Sequence, residues 1–366
     1  MKSIQSRKIV FAGGGTAGHV EPALAVARAW LRKHPADSCL FLGTPDGLEN
    51  SLVPVAGFEL LTIPKVVMPR TFGVDLFLLP ARLARAGFSA RKYIAGADLL
   101  IGFGGYLAAS AYLAARSLRI PIVIHEANST VGWANRLGAK FTNSLAITHP
   151  VPSGDFAKAK VTGLPLREDV RSTVLSVGEN WREARNRAKR KLGWGLAEPA
   201  VLILGGSQGS AYINSHIAAA LPELVKKKIH ILHSVGSRNA MPADSAYYTP
   251  VAYITDMATA YLAADLVIAR SGAVTCAEFG ALGRMALFIP LPIGNGEQAR
   301  NADHLVEAGR ARLIAQQDFS SDWLLENIDQ LLSASGQVPL AGLRDDINSE
   351  ESIVNLMESA IDEKCE

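Results

Sequence analysis

Ala200–Ser210 reads AVLILGGSQGS, five apolar residues and then a glycine-rich loop, and the Ala/Leu-rich stretch behind it runs to about Leu221. An apolar strand, a glycine turn and a helix form the opening unit of a parallel sheet covered on both faces. The same unit stands at the front of the chain, where Lys8–Ala12 (KIVFA) leads through Gly13–Gly18 to a helix expected over about Pro22–Lys33. Two such openings half a chain apart predict an α/β protein of two doubly wound domains rather than one large sheet. Working outward, strands are expected at Cys39–Leu42, Asp98–Gly102, Pro121–His125, Ile229–Ser234, Asp265–Ala269 and Ala286–Pro290, and a helix near Ala108–Ser117. The boundary falls near Val161–Pro165, giving domains over 1–163 and 164–344 and an amphipathic C-terminal helix over about 345–366. The charged stretch Glu179–Lys191 reads as a solvated helix face.

Composition narrows the function classes. The 366 residues carry 37 Lys+Arg against 34 Asp+Glu, and a net charge of +3 is too small to imply a nucleic-acid partner. With 49% hydrophobic and 19% charged residues the chain is no disordered segment. Cys39, Cys276 and Cys365 are too few and too scattered for a disulfide framework or a zinc site, which fits a reducing compartment. Ile9–Ala12 is too short for a signal-peptide core, and the apolar run Leu99–Ala115 is broken by glycines short of a spanning length.

Five loops that follow apolar strands carry the candidate chemistry. Gly13–His19 (GGGTAGH) offers backbone N–H groups at a helix start, where phosphate binds; it equally suits a tight turn needing positive φ. His19 opens the helix, where the dipole disfavours imidazolium, so it is a candidate base or a structural histidine. His125-Glu126-Ala127-Asn128 supplies a carboxylate and an amide; Asn128 either meets a sugar or caps the next turn. Gly205–Ser210 suits a pyrophosphate. Arg270–Glu278 (RSGAVTCAE) places Glu278 in the first helical turn, as a ribose acceptor or simply as a dipole partner. Gly294–Gln298 with Asn301 is polar after an apolar strand. There is no Asp-x-Asp pair, so no metal and no cofactor is expected, and a leaving diphosphate would rest on backbone N–H groups, a helix dipole and Arg167.

In this order, Gly13–Ala27, Gly102–Asn135, Val161–Arg167, Leu204–Asn214 and Asp265–Glu278 closely resemble the bacterial glycosyltransferases that add N-acetylglucosamine to lipid I to make lipid II (the MurG family), and Gly294–Asn301 is similar to its actinobacterial branch. The resemblance implies two Rossmann-like domains facing across a cleft (the GT-B fold), with the C-terminal helix packed back on the first. It implies UDP-N-acetylglucosamine as donor, held mainly by the second domain. Gly206, Ser207, Gln208 and Gly209 would take the diphosphate, with Arg167 nearby. Ile254 would meet uracil and Glu278 ribose, while Ala273, Val274, Thr275, Cys276 and Ala277 line the phosphates and ribose. Glu297 and Gln298 would meet the sugar, and Thr16, Ala17, Gly18 and Asn128 would close over the donor or the acceptor pyrophosphate. Two departures stand out: Ala17 replaces the family's glycine, and Glu21 sits where an aromatic residue is common.

The implied reaction is a single inverting displacement by the acceptor's 4-hydroxyl, forming a β(1→4) link, with His19 or Glu126 as base. The acceptor's lipid requires a membrane surface. In Pro69–Tyr93, Leu76, Leu79, Arg82, Leu83 and Arg85 suit an anionic bilayer, or else the apolar side packs on the sheet. The expectation is a peripheral protein on the cytoplasmic side of the membrane, working beside other cell-wall synthesis and division proteins. The rivals are a transferase for another acceptor, a nicotinamide oxidoreductase and a non-catalytic sugar-nucleotide-binding subunit.

Overall fold

The structure, a computed structural model, describes residues 6–66, 74–292 and 296–365, without the side chains of 74–76 and 365. The chain divides into two compact units, Met1–Arg167 with Asn348–Glu366, and Glu168–Ile347.

In unit 1 the strands are β1 (Lys8–Gly13), β2 (Ser38–Gly43), β3 (Glu59–Thr62), β4 (Leu99–Gly104), β5 (Ile122–Glu126), β6 (Leu145–Ile147) and β7 (Lys160–Val161). They lie in the order β3-β2-β1-β4-β5-β6-β7, each pairing parallel. Because successive side chains point to opposite faces, β1 feeds two cores. Ile9 and Phe11 pack with Val20, Leu24 and Trp30 of the helix Ala17–Lys33 and with Ile353 and Met357 of the C-terminal helix Ser349–Cys365. Val10 and Ala12 pack with Ala108 and Tyr112 of the helix Gly105–Leu118. Lys33 and His34 both reach Glu358 at 2.7 Å, which tethers the last helix to the first.

Unit 2 repeats the plan with β8 (Ala200–Leu204), β9 (His230–Ser234), β10 (Tyr248–Val251), β11 (Leu266–Ala269), β12 (Met285–Phe288) and β13 (Ala311–Leu313). The order is β10-β9-β8-β11-β12-β13, again all parallel. In each sheet the winding reverses once, between β1 and β4 and between β8 and β11. Loops at the carboxyl ends of such neighbours diverge and leave room for a ligand.

Several local expectations change. The first helix starts at Ala17, because Thr16, extended at φ −138°, offers its carbonyl to His19 and Val20; Pro22 inside the helix forfeits only the bond toward Gly18. The second glycine-opened helix likewise begins at Gly105. The helix bearing Glu278 starts at Ala273, so Glu278 lies in its second turn and its carboxylate gains little from the dipole. The charged helix Trp181–Lys191 is not merely a solvated face. Arg185 is buried and donates to the carbonyls of Leu262, Leu282, Gly283 and Leu340, and Lys189 is buried against Asp265 at 2.8 Å. A guanidinium with five donors can stay charged inside a domain when carbonyls take its protons.

Candidate functional site

The first loop sits at the switch point of unit 1, and a residue that the sequence did not single out governs it. Glu49, fully buried, accepts from the Gly15 N–H and the Thr44 N–H, each at 2.8 Å, and from the Thr44 hydroxyl at 3.0 Å. A Cβ on Gly14 would stand 2.6 Å from its Oε1. The Gly15 donor is therefore spent on an internal carboxylate, and a negative charge beneath the loop opposes a phosphate there. Gly13 and Gly14 are required by close packing, whereas a Cβ on Gly15 would meet nothing within 4 Å.

His19 lies in the first turn of its helix, partly buried, with Nδ1 at 3.2 Å from the Gly14 carbonyl and 3.3 Å from Thr16 Oγ1. Its ring rests against Gly104 and Gly105, at the carboxyl end of β4. Both have positive φ, +92° and +80°, and a Cβ on either would come within 3.4 Å of a ring nitrogen. Burial lowers its pKa below 6.5, the ordinary imidazole value, opposed by Glu126, the Gly14 carbonyl and Glu49. The largest cause is desolvation. With Nδ1–H donated to Gly14, the neutral ring carries its lone pair on Nε2.

Glu126, 4% exposed, is fully engaged. Oε1 accepts from the Asn128 N–H at 3.0 Å and Asn128 Nδ2 at 3.2 Å, while Oε2 accepts from the Gly132 N–H and Asn135 Nδ2, each at 2.9 Å. The buried Tyr112 hydroxyl donates in turn to Asn135 Oδ1 at 2.8 Å. His125 is buried and neutral: its Nε2 bonds the Gly163 carbonyl at 2.9 Å, and burial pushes its pKa down to about 4. Thr16 is exposed, while Ala17, Gly18 and Asn128 are partly buried around the same loop ends. Arg167 also belongs to unit 1, where its Nη1 pairs with Glu21 at 3.2 Å, so the guanidinium sits on the residue that departs from the family pattern.

At the switch point of unit 2 a cavity of about 410 Å³ opens between the helix starts at Ala211 and Ala273. Its lining includes Gly206, Gly209, Ser210, Arg270, Thr275 and Gln298. Gly206 and Gly209 have φ of +90° and +76°. Ser210 caps the Ala211 helix by accepting from the Ile213 N–H and also receives Arg270 Nη2 at 3.0 Å. Arg270, 6% exposed, spends Nη1 on the carbonyls of Ile289 at 2.9 Å and Pro290 at 3.2 Å. It braces the ends of β8, β11 and β12 and brings a fixed positive charge to the cavity. Two helix N-termini and a guanidinium give this cavity a positive field that suits an anion. Within unit 2 the cation at this cavity is Arg270, which the sequence marked only as part of the loop Arg270–Glu278. Arg238, exposed beyond β9, reaches Gln208 Oε1 at 3.5 Å, another contact with no local signal.

Other expected residues fall around this cavity. Ser207 is partly buried and Gln208 exposed within the glycine loop. Ala273 and Val274 are partly buried at the helix start, whereas Cys276, Ala277 and Glu278 are buried. Cys276 faces the interior, where burial pushes its thiol well up, so only its backbone is available. Ile254 is buried beyond β10, outside the cavity lining. Gln298 accepts from the Leu291 N–H at 3.0 Å, and Glu297 opens the short helix Glu297–Asn301. Gly294 and Asn295 lie outside the described residues, as does the Leu76 side chain. Among the described residues, no group of three or more His, Cys, Asp or Glu is placed to hold a metal ion.

On the helix Val74–Ile94 the residues expected to face the membrane divide between two sides. Leu79 and Leu83 pack inward with Val66 and Ala86, at the i, i+4, i+7 spacing of one helix face. Phe77, 86% exposed, and Phe88, 77% exposed, look outward with Leu78, Arg82 and Arg85. Among the described residues no helix is long and apolar enough to cross a membrane.

Residues 9–147 match the glycosyltransferase family 28 N-terminal domain and residues 200–353 its C-terminal domain. A Thermobifida fusca protein is 44% identical over 339 residues, spanning 90% of this chain and 87% of its own length. One from Corynebacterium efficiens is 45% identical over 326 residues, 88% of each. Both are named UDP-N-acetylglucosamine–N-acetylmuramyl-(pentapeptide) pyrophosphoryl-undecaprenol N-acetylglucosamine transferase. The crystal structure of Acinetobacter baumannii MurG aligns at a TM-score of 0.69 with 28% identity, covering 97% of this chain and 99% of that one. The calicheamicin glycosyltransferase CalG4 aligns at 0.64 with 14% identity, over 99% of this chain and all (100%) of that one, a likeness of fold alone.

Proposed function

The chain belongs to glycosyltransferase family 28, and from that premise we propose that it moves N-acetylglucosamine from UDP-N-acetylglucosamine onto N-acetylmuramyl-(pentapeptide) pyrophosphoryl-undecaprenol, the lipid I of peptidoglycan synthesis, giving lipid II. The observation that carries the mechanism is the state of His19: neutral, with Nδ1–H committed to the Gly14 carbonyl and the lone pair on Nε2. The acceptor's 4-hydroxyl gives its proton to Nε2 as its oxygen bonds to the anomeric carbon. The bond from that carbon to the diphosphate breaks, and UDP leaves with the electron pair. A single displacement inverts the α donor to a β(1→4) link.

Glu126 does not take the proton in this scheme. Its oxygens already accept four N–H bonds, and its charge acts by steadying the imidazolium that forms. Unit 2 holds the donor. Its diphosphate lies between the Ala211 and Ala273 helix starts, against the Gly206–Gly209 backbone, Ser207 and Arg270. Those fixed charges and donors take up the charge of the leaving UDP. Glu278 and Ile254 serve the ribose and uracil, and Gln298 the sugar.

The test is transfer of radiolabelled N-acetylglucosamine to a short-chain lipid I analogue, with and without EDTA. Lipid II analogue formed equally in both is the expected result. UDP binding without product would turn the reading to another acceptor or a binding subunit, and product lost with EDTA would overturn the metal-free departure of UDP.

The enzyme reaches its lipid acceptor as a peripheral protein on the cytoplasmic membrane face, through Phe77, Leu78 and Phe88 with Arg82 and Arg85 around them. Phe77→Ser with Phe88→Ser is expected to cut flotation with anionic liposomes at least tenfold, since each exposed phenyl contributes about 1.5–3 kcal/mol on burial. Flotation within twofold of the unaltered protein would remove this patch from consideration.

A further inference from the structure

Trp133 and Tyr106 lie at the carboxyl edge of the unit 1 sheet, on the helices that follow β4 and β5, and the proposed reaction gives them no work. Their ring centroids are 6.0 Å apart, tilted at 44°. Tyr106 is 37% exposed, Trp133 is half-buried, and neither belongs to a core cluster of unit 1. Both occupy the first turn of a helix that starts at the carboxyl edge of the sheet, Gly105–Leu118 after β4 and Trp133–Gly138 after β5.

Each aromatic is fixed by the residue before it. Gly105 bears His19 against its backbone, and Gly132 donates its N–H to Glu126 Oε2 at 2.9 Å. The aromatic pair, the base and the supporting carboxylate therefore share one scaffold. A partly exposed aromatic pair on the same scaffold as a polar catalytic group suits a ligand with one apolar face and a polar edge. A gluco-configured pyranose is such a ligand: its ring faces present C–H groups, and its equatorial hydroxyls leave from the rim.

We propose that Trp133 and Tyr106 form the shelf on which the acceptor's N-acetylmuramyl ring lies, directing its equatorial 4-hydroxyl toward His19. The inference rests on the assignment of His19 as base and of unit 1 as the acceptor side. The sequence alone gave neither residue a role.

The test is steady-state kinetics of Trp133→Ala, Tyr106→Ala and Trp133→Phe with short-chain and long-chain lipid I analogues. An aromatic contact contributes about 0.5–1.5 kcal/mol, so each alanine variant should raise the acceptor KM by roughly 2–13-fold. The donor KM, the UDP affinity and the melting temperature should stay unchanged, and Trp133→Phe should recover most of the loss. Titration with the short-chain analogue should also change indole emission in the unaltered protein and not in Trp133→Phe. An acceptor KM within 1.5-fold of the unaltered protein overturns the shelf. So does a change in donor KM instead, or a defect confined to the long-chain acceptor, which would make the pair a lipid contact. Absence of any product from the unaltered protein is a separate result: it overturns the parent assignment, and the shelf with it.

Discussion

His19→Ala is expected to lower kcat by ~10²–10⁴-fold, the range a positioned general base contributes, while UDP affinity stays within twofold. The affinity is spared because His19 is in unit 1 and the anion cavity is built wholly from unit 2. The pH profile supplies a sharper reading. Burial lowers the imidazole pKa, so the acid limb of kcat/KM should lie below pH 6.5. Activity is present above that limb and is lost as pH falls and Nε2 takes a proton. Glu126 raises the His19 pKa, so Glu126→Gln should move the limb to still lower pH. Stopped assays between pH 4.5 and 9 measure both. Normal turnover in His19→Ala, or a limb that does not move in Glu126→Gln, would sink the assignment.

The second large effect is expected at Gly209. Its φ is +76°, and a Cβ there would lie 2.0 Å from the Val235 carbonyl oxygen and 2.6 Å from Asn239 Nδ2. The Val235 carbonyl also accepts from Asn214 Nδ2 at 2.9 Å and Asn239 Nδ2 at 2.8 Å, so it has little freedom to retreat. Gly209→Ala must shift the loop away from the end of the Ala211 helix. At about 2–3 kcal/mol for a strained left-handed alanine and its contact, UDP should bind roughly 30–150-fold more weakly. Titration calorimetry with UDP measures this directly. Affinity within threefold of the unaltered protein would mean that the loop does not hold the diphosphate.

The sequence carried the fold because its signals are local. Lys8–Ala12 and Ala200–Leu204 are short, apolar on both faces and followed by glycines, which specifies a buried parallel strand and a tight exit. Weak edge strands escaped notice: Glu59–Thr62 and Ala311–Leu313 are short and half-polar. Of the residues named in advance for the donor, Gly206, Gly209, Thr275 and Gln298 line the unit 2 cavity, the glycines on the loop after β8 and the other two in the first turns of the helices that begin at Ala273 and Glu297.

The amino-acid sequence by itself determined two parallel-sheet units, the glycine loops that open them and, through motif order, the family. Tertiary structure alone decided the partners. Glu49 takes the N–H of Gly15 across 34 positions, and Arg270 reaches Ser210 across 60. Leu79 turns inward while Phe77 and Phe88 turn out, and Trp133 meets Tyr106. The physical reason is the range of the forces. Backbone preference and apolar periodicity are properties of neighbouring residues. A hydrogen bond or ring contact between distant ones exists only once strand order has brought two loops to the same edge of a sheet.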